Sequence, residues 1–150
     1  MYTTRPAVAE DAETIARFNQ AMAMETEGKT LDPETLGRGV RRVLDEPAHG
    51  RYLVAEDEGG AVVACLMITY EWSDWRNAQV WWIQSVYVSP AHRRKGVFRR
   101  LYQAVRELGE AAGVCGYRLY VERENVRAQR TYEDLGMRLA DYLMYEQLKG

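Results

Sequence analysis

Five cationic side chains lie within eight positions, around a single glycine, just before a segment whose apolar residues have helical spacing. The cations are Arg93, Arg94, Lys95, Arg99 and Arg100, and the glycine is Gly96. Unpaired amides at a helix start attract anions, and a glycine lets a phosphate approach the backbone closely. The segment therefore predicts a phosphate site, although a solvated basic helix start explains the same string about equally well.

A second pair of polar side chains lies further along the chain. Asn125 and Tyr132 are seven positions apart in a segment of helical character. Seven residues make close to two helical turns, so both side chains are expected on one face, about 10 Å apart. Asn125 is also a good N-cap for the helix that follows. Tyr132, taken alone, is explained as well by a place in the core.

The elements that position these residues follow from periodicity and turn signals. Strands are predicted at residues 2–7, 51–57, 61–70, 79–88, 115–121 and 138–148, and helices at 10–24, 33–45, 97–112 and 126–135. Asp32 is expected to cap the second helix, and Gly113 and Gly136 to end the last two. The strand at 79–88 is expected at the centre of the sheet. The helix after it is the crossover that a parallel strand pair requires, which predicts an α/β fold.

Composition limits the class of protein. A chain of 150 residues fits one domain, residues 1–150, with a sizeable core. Nothing in it approaches the ~20 apolar residues of a membrane helix, and its start lacks a signal peptide, so a cytoplasmic protein is expected. The net charge of −2 argues against broad nucleic-acid binding.

The cysteines and histidines predict no metal site. Cys65 and Cys115 lie in separate strand-like segments and are expected to be reduced core residues. His49 and His92 are far apart and lack neighbours at ligand spacing.

The whole chain resembles the GNAT superfamily of acetyltransferases. Its coenzyme A motif has Arg or Gln, two residues, Gly, one residue, then Gly or Ala; this chain supplies Arg93, Arg94, Lys95, Gly96, Val97 and Phe98. Phe98 departs from the pattern, since a small residue is usual there. The resemblance implies a mixed sheet of six to seven strands with helices on both faces, splayed between the fourth and fifth strands.

The resemblance also implies roles for individual residues with acetyl-CoA as the cofactor. The backbone of Arg94 to Arg99 would hold the pyrophosphate, and the pantetheine arm would run along Val86, Tyr87 and Val88. An amide of Val86 or Tyr87 would stabilise the oxyanion. Asn125 would bind the cofactor arm, and Tyr132 would give a proton to the departing thiolate as the general acid.

The acceptor site is less defined. A primary amine is protonated at neutral pH, so carboxylates must hold it or remove its proton. The candidate acids are Glu25, Glu27, Glu71 and Asp74, and the nearby aromatics are Trp72, Trp75, Trp81, Trp82, Tyr142 and Tyr145. Glu71 is the preferred base or cation anchor, although a solvated turn residue explains any one of these acids as well.

The run from Tyr70 to Val88 looks closest to the spermidine and diamine acetyltransferase branch. That branch has a glutamate where this chain has Gln84, so polyamine specificity does not transfer with the resemblance. The expected function is acetyl transfer to a small amine such as a polyamine or an amino acid, by a homodimer. The alternatives are a peptide or protein amine as acceptor, or a non-catalytic acyl-CoA-binding module.

Overall fold

A computed structural model describes all 150 residues, which divide into two units, Met1–Leu119 and Tyr120–Gly150. The first unit holds the strands β1 (Thr3–Pro6), β2 (Arg51–Glu56), β3 (Val62–Ser73), β4 (Ala78–Val88) and β5 (Gly116–Arg118). It also holds the helices α1 (Ala12–Glu27), α2 (Pro33–Asp45) and α3 (Val97–Ala112). The second unit holds one helix, α4 (Val126–Asp134).

The sheet is mixed and its strand order is β1-β2-β3-β4-β5. The first three pairings are antiparallel, and β4 pairs with β5 in parallel. The helix α3 therefore makes the predicted crossover between two parallel strands. An α/β architecture with this connectivity confirms the predicted fold class.

The helices begin and end where side chains or glycines satisfy their terminal backbone groups. Asp32 accepts a hydrogen bond from Thr35 N–H at 2.9 Å, and Pro33 occupies the first position of α2. Gly113 ends α3 with φ 74°, a left-handed conformation that costs glycine little. Both predictions are confirmed.

The two faces of the sheet are covered by different helices. Ile15 and Phe18 of α1 and Val40 of α2 pack with Tyr52, Val54, Cys65 and Tyr87 in one buried cluster. The helix α3 lies against the opposite face, where Tyr102 packs edge-on against Tyr117 at 6.3 Å. Leu101 and Val105 of α3 are fully buried.

Four expectations about the strands are wrong. The sheet has five strands instead of six to seven, β4 lies next to the edge strand and not at the centre, and β5 has three residues instead of seven. Residues 138–148 form no strand, and their large apolar side chains, such as Leu139 and Tyr145, are exposed. A strand-like composition gives a strand only where a neighbouring strand pairs with its backbone groups.

The cysteines are both unpaired, as expected, but only one is in the core. Cys65 is buried, which raises the pKa of its thiol to about 12, whereas Cys115 is exposed. Cys115 lies just before β5 and not within a strand, so the apolar residues beside it wrongly predicted that it is buried. Separately, none of the helices has both the length and the apolar character needed to cross a membrane.

Candidate active site

The cationic loop joins α3 through left-handed backbone. Arg94 has φ 63° and Gly96 has φ 81°, and left-handed residues beside right-handed ones direct successive N–H groups towards one point, as in anion-binding nests. Gly96 is the N-cap of α3, and its carbonyl accepts a backbone hydrogen bond from Arg100 N–H at 3.1 Å, which begins the helix. The amides of Val97 and Arg99 therefore have no partner inside the helix.

The space in front of this loop is open and electropositive. A Cβ placed on Gly96 would meet no atom within 4 Å, and the side chains of Arg94, Lys95 and Arg99 are exposed. Backbone donors together with exposed cations suit a diphosphate, which accepts hydrogen bonds and carries negative charge. The residues present therefore fit the diphosphate of coenzyme A.

Arg93 differs from the other cations because its side chain is held by the protein. Its Nε–H donates to Val88 O at 2.9 Å and its Nη2–H donates to Glu25 at 2.8 Å. The guanidinium also lies over the Tyr87 ring, 5.3 Å from the centroid. The Tyr87 hydroxyl donates to the second oxygen of Glu25 at 2.6 Å. Arg93 thus joins the cationic loop to β4 and to the last turn of α1.

This network changes the ionisation of its members. The hydrogen bond from Tyr87, followed by that from Arg93, lowers the pKa of the Glu25 carboxyl. Burial, followed by the nearby Glu25, raises the pKa of the Tyr87 hydroxyl. Glu25 is therefore a carboxylate at neutral pH and Tyr87 a neutral phenol.

Phe98, the departure from the coenzyme A motif, is half-buried on the first turn of α3. Its ring stacks with that of Tyr102, one turn further along, at 6.1 Å. An aromatic pair at this spacing stabilises a helix. The helix therefore accommodates the larger side chain through a contact of its own.

The strand β4 contains a bulge near its end. Cys65 of β3 pairs with Tyr87, but Met67 pairs with Gln84, so Ser85 and Val86 together face the single residue Leu66. Ser85 has φ 52°. Such two-against-one bulges bend a strand and redirect its backbone groups.

The pairing of β4 with β5 stops early. Only Val80, Trp81 and Trp82 of β4 have partners, and the last pair is Trp82 with Arg118. Ser89 N–H bonds to Val63 of β3 at 2.8 Å, and alternation along a strand then directs the amides of Val86 and Val88 to the opposite edge. That edge has no partner in β5.

Glu71 lies on β3 and is already paired. It accepts a hydrogen bond from Trp82 Nε1–H at 2.7 Å and two from Arg118 Nη1, at 3.0 and 2.9 Å. The Trp82 hydrogen bond, followed by Arg118, lowers the pKa of the Glu71 carboxyl despite partial burial. Glu71 is therefore ionised at neutral pH, and a carboxylate stabilised in this way is a weaker base.

Register places further polar groups on the same face as Glu71. Thr69 pairs with Trp82, and Met67 with Gln84, so Thr69, Glu71, Trp82 and Gln84 share one face. Gln84 donates a hydrogen bond to Thr69. Arg118 had no place among the sequence-based candidates; its signal was a charged residue between Tyr117 and Leu119 in a strand-like run.

The other acceptor-site candidates are spread over the first unit, apart from Tyr142 and Tyr145, which are exposed in the second. Glu27 pairs with Lys29 at 3.1 Å, and Asp74 is exposed in the turn between β3 and β4. Trp81 is buried against Tyr70, whereas Trp72 and Trp75 are exposed, Trp75 by 92%. Of the acids, only Glu71 and Glu25 make hydrogen bonds with residues of β4.

Asn125 and Tyr132 both lie in the second unit. Asn125 caps α4, because its Oδ1 accepts a hydrogen bond from Ala128 N–H at 3.1 Å. The helix extends past Tyr132 and ends before Gly136, as predicted. Tyr132 thus lies within α4, seven positions after the capping residue. Burial raises the pKa of the Tyr132 hydroxyl, which keeps it protonated at neutral pH.

Several known proteins are similar to this chain in sequence or in structure. A possible acetyltransferase from Clostridium difficile 630 has a solved structure that matches with a TM-score of 0.90 and 45% identity, over 99% of this chain and 98% of that one. A ribosomal-protein-alanine N-acetyltransferase from Brucella melitensis matches with a TM-score of 0.81 over the full length of both chains, but at 17% identity, which supports the fold alone.

A curated relative and a family model extend the comparison. The mycothiol acetyltransferase of Corynebacterium aurimucosum is 29% identical over 134 residues, 87% of this chain but 44% of its own length, so this chain spans less than half of that relative. The model of the acetyltransferase (GNAT) family matches residues 15–137. This match covers the cationic loop, β4 and both Asn125 and Tyr132, and the chain therefore belongs to the GNAT family of acetyltransferases.

Proposed function

We propose that this chain is an acetyl-CoA-dependent N-acetyltransferase whose acceptor is the primary amine of a small molecule. The observation that carries the proposal is the nest of amides at Arg94 to Val97. It follows, a few residues along the chain, the part of β4 that has no partner in β5. The family model crosses the boundary between the two units, which supports a single acetyltransferase domain formed by residues 1–150.

The cofactor-binding residues follow from this geometry. The amides between Arg94 and Arg99 hold the pyrophosphate, assisted by the exposed cations, while Arg93 ties the loop to β4. The edge of β4 at Val86 to Val88 has no partner in β5 and binds the amides of the pantetheine arm as an added strand would, while the Val88 carbonyl also accepts a hydrogen bond from Arg93. Asn125 retains its amide NH₂ as a donor to that arm, since only its Oδ1 serves as the helix cap.

The acyl transfer uses few groups of the protein. Acetyl-CoA, when bound, supplies an acetyl group activated as a thioester. The Val86 amide is directed away from β3 and stabilises negative charge on the carbonyl oxygen. Tyr132 holds a proton on its hydroxyl at neutral pH and gives it to the leaving sulfur as the general acid. Glu71 anchors the acceptor ammonium, a role that suits a carboxylate of lowered pKa better than that of a base. The ammonium gives one proton to solvent before its nitrogen attacks, and the proton that the nitrogen loses after the attack replaces the one that Tyr132 gives to sulfur.

Thiol release from acetyl-CoA in the presence of a panel of primary amines tests this function. We expect turnover with at least one small amine, and none without an acceptor beyond slow hydrolysis. Binding of acetyl-CoA without turnover on any small amine or peptide would identify a non-catalytic acyl-CoA-binding module instead. Turnover with peptides alone would show that the acceptor is a peptide or protein amine and not a small molecule.

We also propose that the protein is a homodimer. Several large apolar side chains of the last segment are exposed in the single chain, including Leu139, Tyr142, Leu143 and Leu148. Exposed apolar surface of this kind is typical of association sites. Light scattering after size exclusion should give twice the chain's mass of 17.3 kDa, and the mass of one chain would contradict the proposal.

A further inference from the structure

We propose that the acceptor carries a carboxylate close to its amine, as an α-amino acid does, and that Arg118 binds this carboxylate. The inference rests on the proposed acetyltransferase function and narrows its acceptor class. It begins with the position of Arg118, which ends β5 and forms the last pair with β4. Beyond that pair β4 has no partner in β5, so Arg118 lies where the edge of β4 that would bind the pantetheine arm begins.

The side chain of Arg118 crosses the neighbouring strand to reach Glu71. Thr69 of β3 and Arg118 of β5 both pair with Trp82, so β4 lies between the strands that carry the two charges. The guanidinium therefore extends over β4 on the face that also carries Gln84. Arg118 and Glu71 are each 41% exposed, which leaves the pair accessible to a small molecule.

Arg118 has N–H groups that make no hydrogen bond to Glu71. Both hydrogen bonds to Glu71 come from a single nitrogen, Nη1, although a guanidinium carries five N–H groups arranged as a fork. The Nη2 and Nε groups form the side of the fork that binds a carboxylate in bidentate fashion. One ion pair thus orients Arg118 and leaves a carboxylate-shaped donor set available.

The charges of this face select among amines. Glu71 and Arg118 cancel each other, and the other polar side chains beside them, Thr69 and Gln84, are neutral. A polyamine with several positive charges would meet the arginine directly beside Glu71. A zwitterion presents one charge of each sign, and its ammonium and carboxylate complement Glu71 and Arg118 lying side by side.

The first experiment compares matched acceptors with the wild-type protein. Leucine, phenylalanine and lysine are each tested against the amine formed by removing their carboxyl group, and against their carboxamides. We expect kcat/KM to favour the amino acids by about 10- to 100-fold, the range for a charge-assisted hydrogen-bonded pair. Equal or faster reaction of the decarboxylated amines would overturn the inference and leave the acetyltransferase function standing. Absence of turnover with every acceptor would overturn both.

The second experiment assigns the preference to Arg118. In Arg118→Lys and Arg118→Gln the preference for amino acids over their decarboxylated partners should fall to less than about threefold, through a higher KM for the amino acids. The double variant Glu71→Gln and Arg118→Gln leaves no unpaired charge, so it should fold and still lack the preference. Arg76→Gln, at an exposed turn position, should keep it.

A purely structural role for Arg118 predicts a different result. Damage to the fold would lower kcat for both members of each acceptor pair equally and would reduce the thermal stabilisation by acetyl-CoA. A preference that persists in the folded Arg118 variants would overturn the inference.

Discussion

At the residue scale, the surroundings of Glu71 and Tyr132 shift their pKa values in opposite directions, and each shift suits a different role. Hydrogen bonds from Trp82 and Arg118 stabilise the charged form of Glu71, so its pKa falls. Burial disfavours the charged form of Tyr132, so its pKa rises. A carboxylate that stays charged is suited to hold an ammonium, and a phenol that stays neutral is suited to give a proton away.

Replacing Tyr132 with Phe removes the proposed proton donor while keeping the ring. We expect kcat to fall by about 10²- to 10⁴-fold, the range for general acid catalysis, with little change in the Kd of acetyl-CoA. The measurements are steady-state kinetics and calorimetry. The wild-type kcat should also decline only above the ordinary phenol pKa of about 10, because burial raises the pKa of Tyr132. An unchanged kcat in the variant would remove Tyr132 from the mechanism.

Gly96 offers a test of the phosphate loop with a control on the same helix. Gly96→Glu adds a negative charge in front of the amides, so acetyl-CoA should cease to bind measurably by calorimetry. Gly113 has a similar φ, 74° against 81°, and a Cβ at either position would meet no atom within 4 Å. Gly113→Glu therefore carries a similar backbone cost, about 1 kcal/mol, and should bind acetyl-CoA normally. Loss of binding in both variants would indicate general destabilisation instead.

At the element scale, the position of β5 depends on a close approach to α3. Gly109 lies in the buried face of α3, and a Cβ there would come within 2.7 Å of Tyr117 Cε1. The Tyr117 hydroxyl donates to Arg106 O at 3.2 Å, and its ring packs on Tyr102. The ring therefore has little freedom to move, and the absence of a side chain at Gly109 sets how closely β5, and with it Arg118, lies against the helix.

Gly109→Ala should therefore destabilise the protein, although alanine is the better helix former. We expect a loss of about 1–3 kcal/mol in the free energy of unfolding from overpacking, measured by urea denaturation. In a Tyr117→Ala background the clash is absent, and the same substitution should be neutral or stabilising by up to about 1 kcal/mol. A loss of equal size in both backgrounds would contradict this account of the packing.

The helix α4 allows the two roles of Asn125 to be separated. Asn125→Ser keeps an oxygen that accepts the Ala128 hydrogen bond, whereas Asn125→Ala loses it. We expect only the alanine variant to lose about 1 kcal/mol of stability, while both raise the KM for acetyl-CoA by removing the amide donor. If the serine variant has the wild-type KM, Asn125 serves only as a cap.

At the scale of the whole molecule, one ion cluster joins the start of the chain to the sheet. Asp11, which is buried, receives hydrogen bonds from Arg5 at 2.8 and 3.1 Å and from Val8 N–H at 2.8 Å. Arg5 also pairs with Glu56 on β2 at 2.9 Å. The hydrogen bond from Arg5 is the main reason that the pKa of Asp11 is lowered.

This cluster should make stability depend on pH. Because the folded pKa of Asp11 is lowered, its contribution is complete above the unfolded value of about 3.9 and is lost as the pH falls through the folded pKa. At pH 7, the free energy of unfolding of Asp11→Asn should be about 1–3 kcal/mol lower than that of the wild type. The difference should shrink in acid. Asp74→Asn, at an exposed turn, should change little, and a difference independent of pH would exclude the electrostatic explanation.

Much of the chain could be predicted from local pattern. The caps at Asp32 and Asn125, the glycine ends at Gly113 and Gly136, and the crossover helix after β4 were all expected and are present. These features rest on interactions between residues close in sequence, such as a side chain and the amide three positions later. The bulge at Ser85 was not expected, because it depends on how two strands are registered.

The amino-acid sequence by itself determined the order of helices and strands up to β4, the glycine and cations of the loop, and the spacing of Asn125 and Tyr132, because these are properties of neighbouring residues. Only the tertiary structure decided that β5 has three residues, that residues 138–148 form no strand, and that Glu71 is bound by Arg118, 47 positions away. Strand length and ion pairing across a sheet depend on which distant segments lie side by side, and that depends on the packing of the whole chain.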